Sequence, residues 1–314
     1  MRISGVHHRN KPVNIFILFL LSTLLGQVVI GCAFIHREAQ LVSGGTGVSL
    51  TRIDGTCSDK ILTSEKQSVR KNQQRLDPDH IAILDWNIFK GQRPGWHDDF
   101  LRLSTAKDII FLQEAPLNER MQEVLQQQNL FWSLNSAFKY RGLETGVLVA
   151  STVQPLGSCG LRYNEPIIGV PKTILISKYI ITGSIDKLLV ANIHGINISL
   201  GTGAYQKQID GLQNILKKHD GPLILAGDFN NWSKERTAIM TRLIENLSLH
   251  ALAFDDEGRT TFFGGPVDHI LYRGLKPLTY EAHPVSSSDH NPITVTFRLA
   301  RPQTVAEPKI FMTQ

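Results

Sequence analysis

Polar residues able to bind a metal or move a proton stand at the ends of apolar runs from residue 85 onward. Each group follows directly on a short aliphatic or β-branched run. The groups are, in order, Asp85-Trp86-Asn87, Gln113-Glu114, Asn192-Ile193-His194, Gly227-Asp228-Phe229-Asn230, Asp268-His269-Ile270 and Ser288-Asp289-His290-Asn291-Pro292. Strands that project such groups from one edge of a sheet would gather them into one pocket.

The carboxylates and the first amide of this set fit a Mg²⁺ site. Glu114 and Asp289 offer the hard oxygen ligands that Mg²⁺ prefers. Asn87 adds a neutral oxygen, which avoids more negative charge that would repel a phosphate. Because Mg²⁺ keeps several of its waters, few protein ligands are enough. We therefore expect Mg²⁺ at these three residues, with Mn²⁺ as an alternative.

The other polar residues suit the hydrolysis of a phosphate ester, which requires water, a proton acceptor and positive charge at the phosphate oxygens. We expect His290 to act as the general base and Asp268 to orient it. Asp228 and Asn230 are two positions apart, so on an extended segment they point the same way and could aim the attacking water. His194 could donate a hydrogen bond to a phosphate oxygen.

Each of these residues also has a purely structural explanation. A single glutamate after a strand commonly caps a helix or faces solvent, and a single histidine is commonly a satisfied core residue. Asp228 and Asn230 could form a turn or a helix N-cap, and Ser288–Pro292 could be an ordinary loop. The complete set favours catalysis, because coincidence would have to explain all six groups in one order.

The same groups in the same order resemble the endonuclease/exonuclease/phosphatase superfamily, which includes pancreatic deoxyribonuclease, abasic-site endonucleases, sphingomyelinases, deadenylases and inositol polyphosphate phosphatases. The resemblance covers about residues 80–299, and its most specific parts are Gly227–Asn230 and Ser288–Pro292. The local sequences Trp86–Lys90 and Asn192–Gly201 are most similar to the bacterial YafD-like subgroup.

This resemblance implies a four-layer α/β sandwich of the DNase I type, with the site at one edge of two packed sheets. It implies Glu114 as the main metal ligand, helped by Asn87 and Asp289, and it gives the other residues the roles described above. Ile193 stands where the family commonly has Thr, and His269 stands where an aromatic residue such as Tyr is frequent. Both departures leave the reacting groups in place and concern the substrate pocket.

The elements that would hold these groups form one α/β pattern. Apolar residues at helical spacing predict helices over Tyr205–Leu216 and Ile239–Leu247. We expect one domain over 80–300, after a lead-in over 37–79 and before a tail over 301–314. Short β-branched runs predict strands at Ile81–Trp86, Ile109–Leu112, Gly146–Ala150, Thr173–Ile176, Leu188–Ile193, Pro222–Ala226, His269–Tyr272 and Ile293–Phe297.

The N-terminal segment is a nearly unbroken apolar run. Basic residues precede Val13–Ile35, which contains no charge and is long enough to cross a bilayer as a helix. The run also resembles a secretory signal, and Val29–Cys32 resembles a lipoprotein signal in which Cys32 is lipidated. We expect residues 1–36 to be a retained membrane anchor, with lipidation second. The catalytic domain over 80–300 would then lie outside the cytoplasm, and a cytoplasmic location is the alternative.

Composition is typical of a folded protein and is compatible with an anionic substrate. The 314 residues are 42% hydrophobic and 19% charged, with a formal net charge of +5, which excludes a disordered chain. Three cysteines without a CxxC pair argue against zinc and leave a Cys57–Cys159 disulfide open. We expect a monomeric Mg²⁺-dependent nuclease acting on phosphodiester bonds. The alternatives are a phosphoesterase acting on a phospholipid or small phosphoester, and a membrane-tethered binding protein without activity.

Overall fold

The computed structural model describes residues 33–35, 39–45, 47–57, 74–254 and 258–300. Most of the predicted anchor, including Cys32, lies outside these residues, as does the tail over 301–314. The end of the apolar run is described: Ala33–Phe34 form a short strand, β1, so the predicted helix does not continue to Ile35. Within the described residues, no helix has the length and apolar character needed to span a bilayer.

A nine-stranded sheet contains both the first and the last strands of the described chain. Its strands besides β1 are β2 (Gln40–Gly45), β3 (Val48–Asp54), β4 (Ile81–Asn87), β5 (Ile109–Pro116), β6 (Phe131–Tyr140), β7 (Leu143–Ser151), β16 (Leu275–Ala282) and β17 (Ile293–Leu299). Their order is β16-β17-β4-β5-β7-β6-β2-β3, and β1 pairs with β6. β4 and β5 are parallel, so their carboxyl ends meet at the same edge.

A six-stranded sheet carries the other half of the candidate residues. Its strands are β8 (Gly157–Asn164), β9 (Pro171–Ile180), β10 (Lys187–His194), β11 (Leu223–Asp228), β12 (His250–Ala251) and β15 (Asp268–Arg273). Their order is β12-β15-β11-β10-β9-β8, with β10 and β11 parallel. A separate two-stranded ribbon is formed by β13 (Thr261–Phe262) and β14 (Gly265–Pro266).

Three apolar cores separate four layers. Ile83 and Val190 belong to the core between the two sheets. The outer face of the larger sheet is covered by α1 (Trp96–Ser104) and α2 (Glu119–Gln127), whose buried residues join Trp86 and Leu112. The outer face of the smaller sheet is covered by α3 (Gly203–Leu216) and α4 (Lys234–Asn246). The α/β/β/α sandwich expected from the sequence is therefore confirmed.

The predicted apolar elements are found, and more exposed ones were missed. All eight predicted strands lie at observed strands, and both predicted helices are present. The second helix begins earlier than predicted, because the Ser233 hydroxyl accepts a hydrogen bond from the Arg236 N–H and so caps α4 at residue 234. Strand β16 was not predicted, since most of its residues are exposed and its sequence lacks a regular apolar face.

The predicted lead-in over 37–79 is wrong as a domain boundary. Strand β2 pairs with β6 and buries Leu41 and Val42. Strand β3 is an edge strand that is exposed along its length. Cys57 forms a disulfide with Cys159 of β8. The residues described between 39 and 57 therefore belong to the folded domain.

Candidate active site

Four strand ends bring the predicted residues together at one edge of the sandwich. In the parallel pair β10–β11, His194 is the register partner of Asp228, and in the antiparallel pair β11–β15 Asp228 is also the partner of Asp268. Asn87 ends β4 in the facing sheet, and its side-chain N–H donates to Asp228 Oδ2 at 3.2 Å. All four side chains are buried. The site is thus assembled from both sheets.

Asp228 lies at the centre of this arrangement. Its Oδ2 atom is 3.5 Å from His194 Nε2 and 3.9 Å from His290 Nε2. Its Oδ1 atom accepts a hydrogen bond of 3.0 Å from the Asn230 backbone N–H. Burial raises the pKa of Asp228 to about 6; the positive charge of His290 opposes the rise, and the negative charge of Asp268 adds to it. A carboxylate with such a pKa can gain and lose a proton near neutral pH.

His290 and Asp268 form the predicted pair. The Nδ1–H of His290 donates to Asp268 Oδ2 at 2.8 Å and to Oδ1 at 3.0 Å. The loop over Ser288–Pro292, which carries His290, is fixed on β4, because the Trp86 indole donates to the His290 carbonyl oxygen at 2.9 Å. Burial lowers the pKa of His290, but the charge and hydrogen bond of Asp268 outweigh burial and raise the pKa to about 10. His290 is therefore an imidazolium at neutral pH, whereas the sequence suggested a neutral base.

His194 is paired with a lysine that the sequence did not single out. Lys172 Nζ lies 2.7 Å from His194 Nε2. Burial, followed by the positive charge of Lys172, holds the pKa of His194 well below its usual value, so the ring is neutral and Nε2 accepts from the ammonium. In this arrangement Lys172, rather than His194 Nε2, presents charged N–H groups to the site. Only the register of the antiparallel strands β9 and β10 brings them together.

A bulge in β5 directs Glu114. The register of β5 and β7 shifts between Leu112 and Ala115, and Glu114 has a φ of +53°. Its side chain is 18% exposed and is bonded to the ammonium of Lys90. Burial alone would raise the pKa of Glu114, but surrounding positive charge, with Lys90 first, lowers the pKa to about 2. Glu114 is therefore ionised at neutral pH.

Asn230 does not lie on an extended segment, so the spacing argument made for it was wrong. Strand β11 ends at Asp228, and Asn230 has a φ of +49°. Its side-chain N–H donates to the Gly195 carbonyl oxygen at 3.2 Å. The structure still places Asn230 beside Asp228, but through a turn that joins the ends of β10 and β11.

The predicted metal ligands differ in their fit to a divalent cation. Glu114 is ionised, partly exposed and already paired with a cation, and Asn87 Oδ1 points back to the Phe89 backbone N–H at 3.1 Å. Asp289 is exposed, and its Oδ1 is 3.4 Å from Ser288 Oγ. The donor set of Glu114 with Asn87 suits Mg²⁺.

A second acidic group could also hold a metal. Among the described residues, Asp228, Asp268 and His290 offer ligand atoms that all lie within 4.8 Å of one another. Neither Glu114 nor Asp289 belongs to it. Because Asp268 and His290 are hydrogen-bonded to each other, this group is better suited to proton transfer than to holding a cation.

A buried polar network beneath the site joins the two sheets. Gln113 Nε2 donates to Asp85 Oδ1 at 2.8 Å and to Asn192 Oδ1 at 2.7 Å. Asn192 Nδ2 in turn donates to the carbonyl oxygens of Leu112 and Leu148 in the larger sheet. Burial, and then the negative charge of Asp268, holds the pKa of Asp85 well above its usual value. This network fixes the spacing of the two strand sets that carry the site.

Arg236 of α4 holds the loops that follow His194 and Asp228. Its Nη1 atom donates to the carbonyl oxygens of Ile196 and Asn230 at 2.5 and 2.9 Å, and its Nη2 atom donates to that of Asn197 at 2.9 Å. The side chain is buried. Helical spacing alone could not have indicated this role, because Arg236 lies in the first turn of a helix among polar residues.

His269, one of the two departures from the family pattern, is a buried neutral residue. Burial lowers its pKa to about 4. Its ring packs edge-on against Phe229, with ring centroids 5.6 Å apart. Ile193, the other departure, is buried in the core under α3 and α4. Neither residue belongs to the group of ionisable side chains around Asp228.

Known proteins are similar to this chain over more than half of its length. The model of the Endonuclease/Exonuclease/phosphatase family matches residues 86–290. A UPF0294 protein of Vibrio campbellii is 37% identical over 231 residues, which cover 73% of this chain and 82% of that relative. Residues 86–290, which the family model matches, contain all the predicted catalytic and metal-binding residues from Asn87 to His290.

Two solved structures share the fold. The human Nocturnin catalytic domain with bound sulfate anion has a TM-score of 0.55 and 18% identity, over 72% of this chain and 96% of that one. ANGEL2, described as a 2′,3′-cyclic phosphatase in complex with adenosine-2′,3′-vanadate, has a TM-score of 0.53 and 13% identity, over 71% and 96%. At these identities the similarity shows the fold alone.

Proposed function

The chain belongs to the endonuclease/exonuclease/phosphatase family, whose members are typically hydrolases of phosphoester bonds, and on that premise we propose that it is a metal-dependent phosphodiesterase that cleaves nucleic acid. The observation that carries the proposal is the convergence on Asp228. Asn87, His194 and His290 all lie within 4 Å of its Oδ2 atom. One buried carboxylate thus lies among N–H donors from Asn87, His290 and Lys172, the last of which is bonded to His194.

The ionisation states divide the chemical work between two residues. Asp228, whose pKa is raised to about 6, accepts a proton from the attacking water as its oxygen bonds to phosphorus. The imidazolium of His290, held by Asp268, stabilises the negative charge that develops on the phosphoryl oxygens as the bond to the leaving oxygen breaks. This replaces the sequence-based assignment of His290 as the base. The leaving oxygen takes a proton from solvent water, and Asp228 returns the proton that it accepted to the solvent. Lys172 adds a second positive charge.

A divalent metal would be held by Glu114 with Asn87, and Asp289 of the neighbouring loop would assist. When bound, Mg²⁺ or Mn²⁺ would supply Lewis-acid charge to the phosphate. The carboxylate of Glu114 is ionised and partly exposed, as such a role requires. Asn87 positions the site from the other side, since its amide also bonds Asp228.

Nucleic acid is the favoured substrate class. The formal net charge of +5 suits a polyanion. Sulfate binding by the Nocturnin catalytic domain and adenosine-vanadate binding by ANGEL2 are compatible with a nucleotide phosphate at this fold's site. The apolar run over 13–35 favours the second candidate, a phosphoesterase acting on a phospholipid or small phosphoester. Binding without catalysis is a third candidate, disfavoured by the complete set of ionisable groups.

We propose that the enzyme acts outside the cytoplasm, as a monomer tethered to a membrane through the part of the apolar run that precedes β1. The Cys57–Cys159 disulfide supports this location, because disulfides persist in oxidising compartments. Fractionation of cells into soluble and membrane parts, with protease added from outside, would test it. Protection of the domain in intact spheroplasts would contradict it.

Hydrolysis assays on the full chain test the proposed activity. We expect labelled DNA or RNA to be cut with Mg²⁺ and spared with a chelator. Asp228→Asn or His290→Ala should slow the reaction by about 10²-fold or more. Asp186→Asn, in the exposed turn before β10, should leave the rate unchanged. Full activity of both site variants would overturn the mechanism. Turnover of sphingomyelin or phosphoinositides without turnover of DNA or RNA would show that the substrate is a phospholipid and not a nucleic acid.

A further inference from the structure

An exposed aromatic pair lies next to the candidate site. Phe263 is 76% exposed at the tip of the β13–β14 ribbon. Its ring centroid is 5.6 Å from that of Trp232, with the planes inclined by 51°. Trp232 comes shortly after Asn230, and Phe263 shortly before Asp268. Both rings are therefore attached by short segments to residues of the site.

The backbone at the ribbon tip is unfavourable for the residue that occupies it. Phe263 and Gly264 are the two turn residues, with φ values of +50° and +85°. Turns of this kind favour Asn or Gly at both positions, and a bulky residue with positive φ is an outlier. Phe263 therefore combines backbone strain with an exposed apolar ring. Strain of this sort is concentrated at sites that bind ligands.

A buried histidine joins the two segments that carry the rings. His269 Nε2 lies 3.0 Å from Asn231 Oδ1 and 3.0 Å from the Pro266 carbonyl oxygen. Both partners are acceptors, so the Nε2–H donates to them. Asn231 precedes Trp232, and Pro266 belongs to β14. His269 thus holds the ribbon beside the Trp232 segment, which gives this departure from the family pattern a structural purpose.

The ring of Trp232 is held in a fixed position. The Arg236 guanidinium lies 4.4 Å from the Trp232 ring centroid. The indole N–H donates to Asn197 Oδ1 at 3.1 Å. Trp232 is therefore a rigid, partly buried support, and Phe263 extends beyond it into solvent.

We infer that Trp232 and Phe263 form a stacking platform for an unpaired nucleobase beside the phosphate that is cut, so that the substrate is a single-stranded nucleic acid. The inference rests on the proposed phosphodiesterase function and names its substrate class. A nucleotide joins a flat aromatic base, which can stack on aromatic side chains, to an anionic phosphate. The protein offers the rings of Trp232 and Phe263 on segments adjoining the site, and within the site the ammonium groups of Lys90 and Lys172 are bonded to Glu114 and His194.

A membrane surface fits the same features less well. Trp232 is anchored by a hydrogen bond and by a cation at its ring, so it cannot enter a bilayer together with Phe263. The turn itself consists of Phe263 and Gly264, and the Phe263 ring is already packed against Trp232 and against Phe262 of β13. The two rings together suit a flat ligand attached to the phosphate.

Phe263→Asn gives the sharpest test, because Asn tolerates positive φ and should relieve the strain. We expect the full-chain variant to melt at or above the temperature of the parent. In chelator, where no cleavage occurs, fluorescence anisotropy should show about tenfold weaker binding of a thymidine oligonucleotide, equivalent to about 1.4 kcal/mol, within the range for base–aromatic stacking. Ile185→Asn, at a side chain 91% exposed in the turn before β10, is the matched control and should bind like the parent.

A base-free oligomer of abasic residues separates stacking from phosphate attraction. The parent should bind it about tenfold more weakly than the thymidine oligomer, and Phe263→Asn should not weaken it further. Equal thymidine binding by parent and variant would overturn the platform, as would equal losses on both oligomers. If Phe263→Asn weakens binding to anionic phospholipid vesicles but not to either oligomer, the ribbon tip binds lipid and the platform is overturned. Because binding is measured without turnover, a protein that discriminates bases yet cuts no diester would retain the platform and refute the proposed function.

Discussion

Asp228 and His290 hold opposite charges over a defined range of pH. Burial raises the pKa of Asp228 to about 6. Burial acts in the other sense on His290, but Asp268 overcomes it and raises that pKa to about 10. Between the two values, Asp228 is ionised and His290 is protonated. These are the states that the proposed proton acceptor and charged donor require.

The pH profile of kcat/KM should therefore be bell-shaped. A base works when deprotonated, so activity should rise as pH increases through about 6. A charged donor works when protonated, so activity should fall as pH increases through about 10. Initial rates measured across this range, with circular dichroism to confirm folding at each pH, check the expectation. A rate that is highest where Asp228 is protonated would contradict it.

Removing the charge of Lys172 should weaken catalysis. Lys172→Gln should lower kcat/KM by about tenfold or more, since a hydrogen bond from a charged group is worth about 1.5–3 kcal/mol and about 1.4 kcal/mol is a factor of ten. The pKa of His194 should rise, because the lysine charge is one of the causes that lower it. Lys187→Gln, at the other end of β10, is the control. Unchanged kinetics and an unchanged His194 titration by NMR would exclude this role.

At the scale of elements, strands that are apolar up to their polar ends were predictable, whereas β6, which is buried but rich in polar residues, was missed. Strands such as β4 and β11 are buried at every position, and an apolar run in each precedes the polar residues of the site. Lys90 and Lys172 carry no such signal. Lys90 has a φ of +56° in a kinked 3₁₀ turn, and Lys172 reaches His194 only through strand register. Contacts that depend on register between distant strands cannot be obtained from local spacing.

The β2–β3 hairpin should contribute to the stability of the domain. Leu41 of β2 is 1% exposed, whereas Leu50 of β3 is 50% exposed. Leu41→Ala should therefore lower the free energy of unfolding by about 2–5 kcal/mol. Leu50→Ala, the same change on the exposed strand, should alter it by about 0.5 kcal/mol or less. Urea unfolding of both variants measures the difference, and equal midpoints would show that the hairpin is not part of the cooperative unit.

At the scale of the whole molecule, two cross-links hold the sheets together. The network of Asp85, Gln113 and Asn192 lies under the site. The Cys57–Cys159 disulfide joins the segment after β3 to β8, across a sequence separation of 102 residues. The four-layer architecture was implied by the family resemblance, and the Cys57–Cys159 disulfide was left open. The polar network was not predicted, because it depends on which strands of the two sheets face each other.

Reduction of the disulfide should destabilise the domain. A closed loop of this length constrains the unfolded chain, and its loss should cost about 2–5 kcal/mol. The melting temperature of the parent should fall in reductant. A variant with both Cys57→Ser and Cys159→Ser should already melt at the lower temperature and should not respond to reductant. A parent that melts alike in both conditions would contradict the prediction.

The position of the last strand has a consequence for synthesis. β17 pairs with β4, with Ile293 opposite Asp85, although β4 is the first of the fully buried strands to be made. A nascent polypeptide thus leaves one side of β4 unpaired until β17 has emerged from the ribosome. Such distant pairings fold slowly, and open strand edges invite aggregation. The newly made protein should therefore depend on chaperones until β17 has been made and has paired with β4.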